Sequence, residues 1–325
     1  MSDRYRILML GGAKRVSIAR MFQQAASQLG AEAEIFSYEL SKTVPIAACG
    51  EVIIGKRFND PEILEHLHQT VTRYGINIII PFVDPAVSVA AAYRDAFPGA
   101  VFVPVGDKSK AEDMFDKCIC ASLFEAAGLP IPATYHGGDI TMPLIAKPRN
   151  GSASKGIEMI DTADDLAHLP MPIDSYLIQE RIDDREEISV DCYVSTIDGE
   201  VLAAVTRRRL EVIGGEASRT VTFHDAETER LAIRTLQTLG LRGAVTIQMI
   251  RDKHDGRLML MEINPRLGGG AVCAVHAGAD IPKMILQEAS GQRPQPASWD
   301  ADVEITRYMQ EVTFSKGILV NDENN

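Results

Sequence analysis

Short apolar runs punctuated by turn residues alternate with stretches of helical spacing through the first third of the chain. Arg6-Ile-Leu-Met-Leu10, Ala33-Glu-Ile-Phe-Ser37, Glu51-Val-Ile-Ile54, Ile76-Asn-Ile-Ile-Ile-Pro81 and Val101-Phe-Val-Pro104 read as strands. Between them, helices are expected at Arg15 to Leu29, closed by Gly30, at Pro61 to Tyr74 and at Pro85 to Ala96. Strands that alternate with helices predict a parallel sheet with covering helices. The pattern then changes. One helix is expected from Lys108 through Met114-Phe-Asp-Lys117 to Ala127, stopped by Gly128 and Pro130. Strands follow at Pro143 to Arg149, Tyr176 to Ile182, Ile188 to Val194 and Val201 to Val205, with Asp198-Gly199 as a hairpin turn. A helix from His224 to Leu239 precedes two more strands, Ala244 to Ile250 and Leu258 to Asn264, joined by the polar turn Asp252-Lys-His-Asp-Gly256. A short helix at Ala271 to Ala277 and another from Asp280 to Gly291 complete a half in which antiparallel structure dominates.

The second of those paired strands carries unexpected chemistry. Glu262, Asn264 and Arg266 occupy every second position of an apolar run, so they share one face, while Met261, Ile263 and Pro265 take the other. If the hairpin loop has about five residues, Gln248 lies opposite Glu262 on the same face; a loop one residue shorter reverses that parity. Gln248, Glu262 and Asn264 then form an all-oxygen cluster suited to Mg²⁺ with phosphates and water, beside an arginine suited to an anion. The plain alternative is the polar side of a surface hairpin, although Asn-Pro-Arg followed by Gly268-Gly-Gly270 is an unusual surface.

Two further basic features have the same affinity for oxyanions. Lys147 ends an apolar strand and is followed by Asn150-Gly-Ser-Ala-Ser-Lys-Gly156, whose small residues allow backbone amides close to phosphate oxygens; Ser152 and Ser154 belong to that loop. Arg207, Arg209 and Arg219 are candidates for capture of a carboxylate or phosphate. Alternation places Arg207 and Arg209 on one face and Arg208 on the other, with the inward face left open. The turn Gly11-Gly-Ala-Lys14 lacks the Gly-x-Gly-x-x-Gly spacing of a dinucleotide fingerprint.

Composition narrows the class. The 325 residues exceed what one hydrophobic core usually organises, so two or three subdomains are expected. A net charge of −12 argues against nucleic-acid binding. No apolar segment reaches the roughly 18 residues of a membrane span, and Met1-Ser-Asp-Arg leads straight into a strand, so a cytoplasmic protein is expected. Five scattered cysteines fit reduced thiols; Cys118 and Cys120 diverge on a helix and make a poor metal pair.

In order and spacing, Lys147 with its glycine loop, Glu180 and Glu187, Gln248, and Glu262-x-Asn264-x-Arg266 resemble the ATP-grasp superfamily, and within it one half of the carbamoyl-phosphate synthase large subunit. The resemblance implies a mixed α/β and α+β fold: a Rossmann-like parallel-sheet domain over residues 1–108, a small lid subdomain over 109–178, and a larger antiparallel-sheet subdomain with the metal site over 179–325. It implies that Lys117 and Lys147 contact nucleotide phosphates under a mobile glycine lid. Gln179, Glu180, Arg181 and Ile182 would line the adenine, and Glu187 would receive the ribose. Gly11, Gly12 and Lys14 would line a second-substrate pocket, Gln248, Glu262 and Asn264 would hold Mg²⁺ (with Mn²⁺ as a substitute), and Arg266 with Lys147 would be catalytic. The activity so implied is ATP-dependent activation of a small-molecule carboxylate as an acyl phosphate for attack by an amine. The alternatives are phosphorylation of bicarbonate or carbamate with a partner subunit, and an ATP-binding sensor without catalysis. A homodimer is the default assembly.

Overall fold

The computed structural model describes residues 4–138, 141–151 and 155–320. Ile7 to Leu10 are fully buried because their strand is central: β1 (Arg4–Leu10) lies between β2 (Glu32–Glu39) and β4 (Ile78–Pro81), and β3 (Glu51–Ile54) lies beyond β2. All of these pairs are parallel. Helices α1 (Val16–Gln28), α2 (Ile63–Tyr74) and α3 (Asp84–Ala96) connect the strands and cover both faces. The run from Val101 to Pro104 does not become a regular strand; Phe102 makes a single parallel bridge to Ile78. Pro104 has no N–H to extend the ladder, and Val105 turns instead to bridge Gly243.

The single helix expected up to Ala127 is two. α4 (Lys108–Phe115) and α5 (Lys117–Ala126) break at Asp116, whose extended backbone lets its carboxylate accept from the amides of Cys118 and Ile119. An N-cap aspartate satisfies amides that have no intrahelical partner. Where the resemblance implies a lid there is a three-stranded antiparallel sheet in the order β6 (Glu158–Ile160), β5 (Leu144–Pro148), β7 (Tyr176–Glu180), with α6 (Ala163–Ala167) against its own small core.

Six antiparallel strands make the largest sheet. They are β8 (Arg185–Val194), β9 (Val201–Ile213), β10 (Glu216–Thr222), β11 (Gly243–Asp252), β12 (Leu258–Asn264) and β13 (Glu304–Thr306), in the order β12-β11-β8-β9-β10-β13. One face is apolar throughout: Ile188, Val190, Cys192, Val245, Ile247, Met249 and Ile263 pack on α5 and α7 (Ala226–Leu239). The other face changes character along its length. At one end Tyr193, Ala203, Val205 and Ala244 join a core with Ile18 and Phe22 of α1 and with α9 (Ile281–Ala289), which follows the short α8 (Ala271–His276). Full burial of a side chain such as Val205, Ile18 or Phe22 contributes about 1.5–3 kcal/mol. Where the parallel-sheet unit no longer covers it, the same face turns polar.

The two sheets also meet through backbone. A Cβ on Gly243, whose φ is +79°, would lie 2.1 Å from the Pro104 carbonyl oxygen, so only glycine permits the approach.

Candidate functional site

The polar stretch of the large sheet holds the chemistry, and strand register decides its membership. Gln248 pairs with Glu262 and Thr246 with Asn264, but loop length alone does not set this register: nearer the turn Arg251 pairs with Leu258 and Met249 with Leu260, and a one-residue shift between Met249 and Gln248 brings Glu262 opposite Gln248. On the next strand Asp191 faces Thr246 and Ser189 faces Gln248; on β9, Arg207 faces Ser189. Arg207 and Arg209 therefore point into this face. Arg208 points away and lies over the Phe223 ring, 3.9 Å from its centroid.

Most of the polar groups on this face have a partner, the buried Arg207 Nη1 being an exception. Asn264 Nδ2 donates to Glu262 Oε1 at 3.1 Å, while Arg266 Nη2 donates to Asn264 Oδ1 at 3.0 Å. The Arg266 Nε donates to Asp84 Oδ1 at 2.6 Å, so a residue in the first turn of α3 orients it from the parallel-sheet unit. Arg209 Nη1 donates to Gln248 Oε1 at 3.0 Å and also lies 3.3 Å from Glu187 Oε2. Arg207 and Asp191 form a buried pair at 2.6 Å, with side chains 4% and 1% exposed, and Thr246 donates to the same aspartate at 3.0 Å. A pair so deep needs these extra hydrogen bonds to offset lost hydration.

The residues present fit one hard cation. Glu262 brings a carboxylate, and the amide oxygens of Gln248 and Asn264 each keep a second lone pair beyond the arginine bond they accept. Among the described residues no group of three or more His, Cys, Asp or Glu side chains could hold a metal. With a single carboxylate, phosphate oxygens would have to supply most of the remaining charge.

Lys147, on β5 of the three-stranded sheet, is 9% exposed. Burial pushes its ammonium down to about 8, and the Glu262 carboxylate acts in the opposite direction. Its Nζ donates to Gln179 Oε1 at 3.0 Å, and Gln179 is fixed in turn by the Pro132 carbonyl and the Thr134 hydroxyl, both at 3.3 Å. Lys117 Nζ donates to the Gly151 carbonyl at 2.7 Å, which brings the start of α5 against the glycine loop. Ser152 and Ser154 lie outside the described residues, as does the tail from Asn321 to Asn325.

Several expected side chains are committed elsewhere. Glu180 accepts a two-pronged bond from Arg257, at 2.7 and 3.1 Å, and a third from the Ala133 amide. Arg181 is held by Asp161 and Asp183, and the Glu180 and Arg181 amides bond the Ala133 and Pro143 carbonyls. The Ile182 carbonyl already accepts from Arg185, and Glu187 pairs with Arg185 as well as Arg209. Arg219 does not join the site. It sits on β10 against Glu304 of the edge strand, half exposed. Gly11 and Gly12 form the turn after β1, but the Gly12 and Ala13 amides bond the Glu39 carboxylate, whose pKa burial raises against those bonds. Lys14 is exposed.

Sequence reasoning passed over Asp84, Arg15, Asp191, Glu216 and Arg307. Asp84 had one local signal, the Asp-Pro pair that opens a helix; the others meet partners from distant segments and had none.

Three comparisons bear on this arrangement. Residues 173–311 match the family model described as ATP-grasp in the biosynthetic pathway with Ter operon. The alpha subunit of mitochondrial methylcrotonoyl-CoA carboxylase from Arabidopsis thaliana is 24% identical over 220 residues, covering 58% of this chain and 30% of that protein. The chain thus spans less than half the length of that relative. Among solved structures, a biotin carboxylase from Campylobacter jejuni in a β-γ-ATP complex superposes with a TM-score of 0.74 at 16% identity, covering 90% of this chain and 73% of that one. An L-amino acid ligase from Bacillus licheniformis superposes with a TM-score of 0.66 at 18% identity, covering 88% and 74%. These likenesses bear on the superfamily and its fold. The finer likeness to carbamoyl-phosphate synthase stays an expectation.

Proposed function

We propose, from the premise that the chain is a member of the ATP-grasp superfamily, that it is an ADP-forming ligase joining a carboxylate to an amine. The observation that carries this reading is the opposition of Lys147 on the lid sheet to Glu262, Asn264 and Gln248 on the large sheet, near enough for the Glu262 charge to act on the lysine. A lysine on one side and a carboxylate with two amide oxygens on the other suit a magnesium triphosphate laid between them.

Lys147 and Lys117 would bind phosphate oxygens, Lys147 held at a fixed point by Gln179. Glu262, Gln248 and Asn264 would hold Mg²⁺, which supplies charge neutralisation at the transferred phosphoryl group. Arg266, steadied by Asp84, would meet the substrate carboxylate. One carboxylate oxygen attacks the γ-phosphorus as the bond to the bridging oxygen breaks and ADP departs. The amine nitrogen then attacks the acyl carbon, phosphate leaves, and the nitrogen loses a proton. Exclusion of water by the lid protects the mixed anhydride. No side-chain nucleophile is required, in keeping with cysteines that burial holds above their ordinary range, Cys120 to about 12.

The matched L-amino acid ligase gives the amine-acceptor reading its support. An ADP-release screen of the full chain with Mg²⁺, ATP, and pairs of small carboxylic acids and amines tests it. Release that requires both partners is expected. Release stimulated by bicarbonate alone would transfer the assignment to carboxyphosphate chemistry, and tight ATP binding without release would leave a sensor.

A further inference from the structure

Three arginines from distant parts of the chain meet at the glycine triplet that follows Arg266. A Cβ built on Gly269 would lie 2.6 Å from Glu216 Oε2, 3.0 Å from Arg15 Nη1 and 3.1 Å from Arg307 Nη2; one on Gly270 would lie 2.1 Å from Arg207 Nη2. A side chain at either position would oblige these guanidinium groups to shift from where they lie. Arg15 grips both oxygens of Glu216, at 3.1 and 2.9 Å, and Arg307 adds a bond of 2.7 Å to Oε2. That is the planar fork by which arginine binds a carboxylate. The third arginine is paired with Asp191, yet its Nη1 is buried without a protein partner.

Against these three cations the cluster sets two carboxylates, Glu216 and Asp191. Glu216 differs from Asp191 in its place at a hairpin tip rather than within a central strand. It is the first residue of β10, immediately after Gly214 and Gly215, whose φ values of 58° and 82° make a turn suited to glycine. Its side chain is 43% exposed, whereas Arg15 is 16% exposed. The turn is also wired to the other half of the site: Arg209 Nη2 donates to the Gly215 carbonyl at 3.2 Å while Nη1 holds Gln248.

We propose that Arg15 and Arg307 are the binding site for a second substrate carboxylate, one that is not phosphorylated, and that Glu216 occupies it as an internal stand-in. The inference deepens the ligase reading and rests on it for its biological meaning, because it assigns the substrate pair an additional anionic group. A substrate carboxylate replaces the Glu216 carboxylate with a group of identical chemistry, and the two-glycine turn swings the hairpin tip aside. Loss of the Arg209 bond to Gly215 then alters the hydrogen bonding of Gln248, so arrival of the right anion is felt at the candidate metal face. Substrates lacking this carboxylate leave the tip in place.

Binding of succinate and of inorganic phosphate to the full chain without nucleotide, measured by calorimetry, tests this. Glu216→Gln is expected to bind succinate at least tenfold more tightly than the natural chain, with a smaller gain for phosphate, and Arg15→Met in that background is expected to abolish the gain. Unchanged or weaker succinate binding by folded Glu216→Gln overturns the proposal, and a larger gain for phosphate overturns the carboxylate assignment. Should that variant fail to fold, phenylglyoxal modification of the natural chain, read by mass spectrometry, decides instead. Succinate is expected to slow modification of Arg15 and Arg307 relative to Arg94, and equal rates with and without succinate refute the site. Neither measurement reads ATP turnover, so failure here leaves the ligase reading standing, and an inactive enzyme that binds succinate separates the two the other way.

Discussion

Lys147 pays for its buried position with a weakened hold on its proton. Burial lowers its pKa to about 8, so the charge that would meet phosphate is largely present at neutral pH and is lost as pH rises through that value. Nucleotide affinity of the unliganded protein, followed with a fluorescent ATP analogue, is therefore expected to fall above about pH 8, and Lys147→Met is expected to weaken binding by tenfold or more and flatten that dependence. Arg266 gives a different signature. Asp84→Asn keeps its shape but removes the charge that steadies Arg266, so kcat is expected to fall about tenfold, about 1.4 kcal/mol, with ATP affinity unchanged; equal loss in both would assign Asp84 to binding. The carboxylate, amides and lysine were legible in the sequence because period-2 alternation exposes a polar residue inside an apolar run. Asp84 and Glu216 were not, since their meaning comes from arginines 182 and 201 residues away.

Elements were legible wherever a local stop or start chose between conformations. Gly240 with φ 60° ends α7. The register that opposes Gln248 to Glu262 was not legible from the loop alone: the turn pairs Arg251 with Leu258 and Met249 with Leu260, and a register shift between Met249 and Gln248 brings Glu262, rather than Met261, opposite Gln248. The break at Asp116 was missed because apolar spacing runs on through Met114 and Cys118, while the decisive interaction is a side chain turned back on its own backbone. The same aspartate pairs with Arg149, at 2.5 Å, tying the helix start to the strand that carries Lys147. Asp116→Ala is expected to cost about 1–2 kcal/mol, the usual range for a lost cap, read as a lower midpoint in urea, and to weaken nucleotide binding by loosening that tie.

At the level of the whole molecule, a metal face with one carboxylate should not stabilise the empty protein. Thermal unfolding is expected to be unmoved by Mg²⁺ or by a chelator, and to rise only when Mg²⁺ and ATP are present together, in line with stabilisation by bound ligand. Acid should act elsewhere. Burial of Glu216 opposes its ionisation, but Arg15 and Arg307 override it and hold the carboxyl down to about 2. Its contribution is present above the ordinary carboxylate value and is lost as pH falls from about 4.5 toward 2, so the acid unfolding curve of Glu216→Gln is expected to be flatter there. The layered architecture was legible from the change of pattern along the chain; the docking of its parts was not, because α1 and α9 look like ordinary amphipathic helices until they are seen against one another. Their contact has a consequence for any attempt to dissect the protein. A cut near residue 108 separates two fragments that each keep half of one oily seam, with Phe22 bare on one and Ile285 on the other. Such halves should clump when made singly and recover a native-like circular dichroism spectrum when produced together.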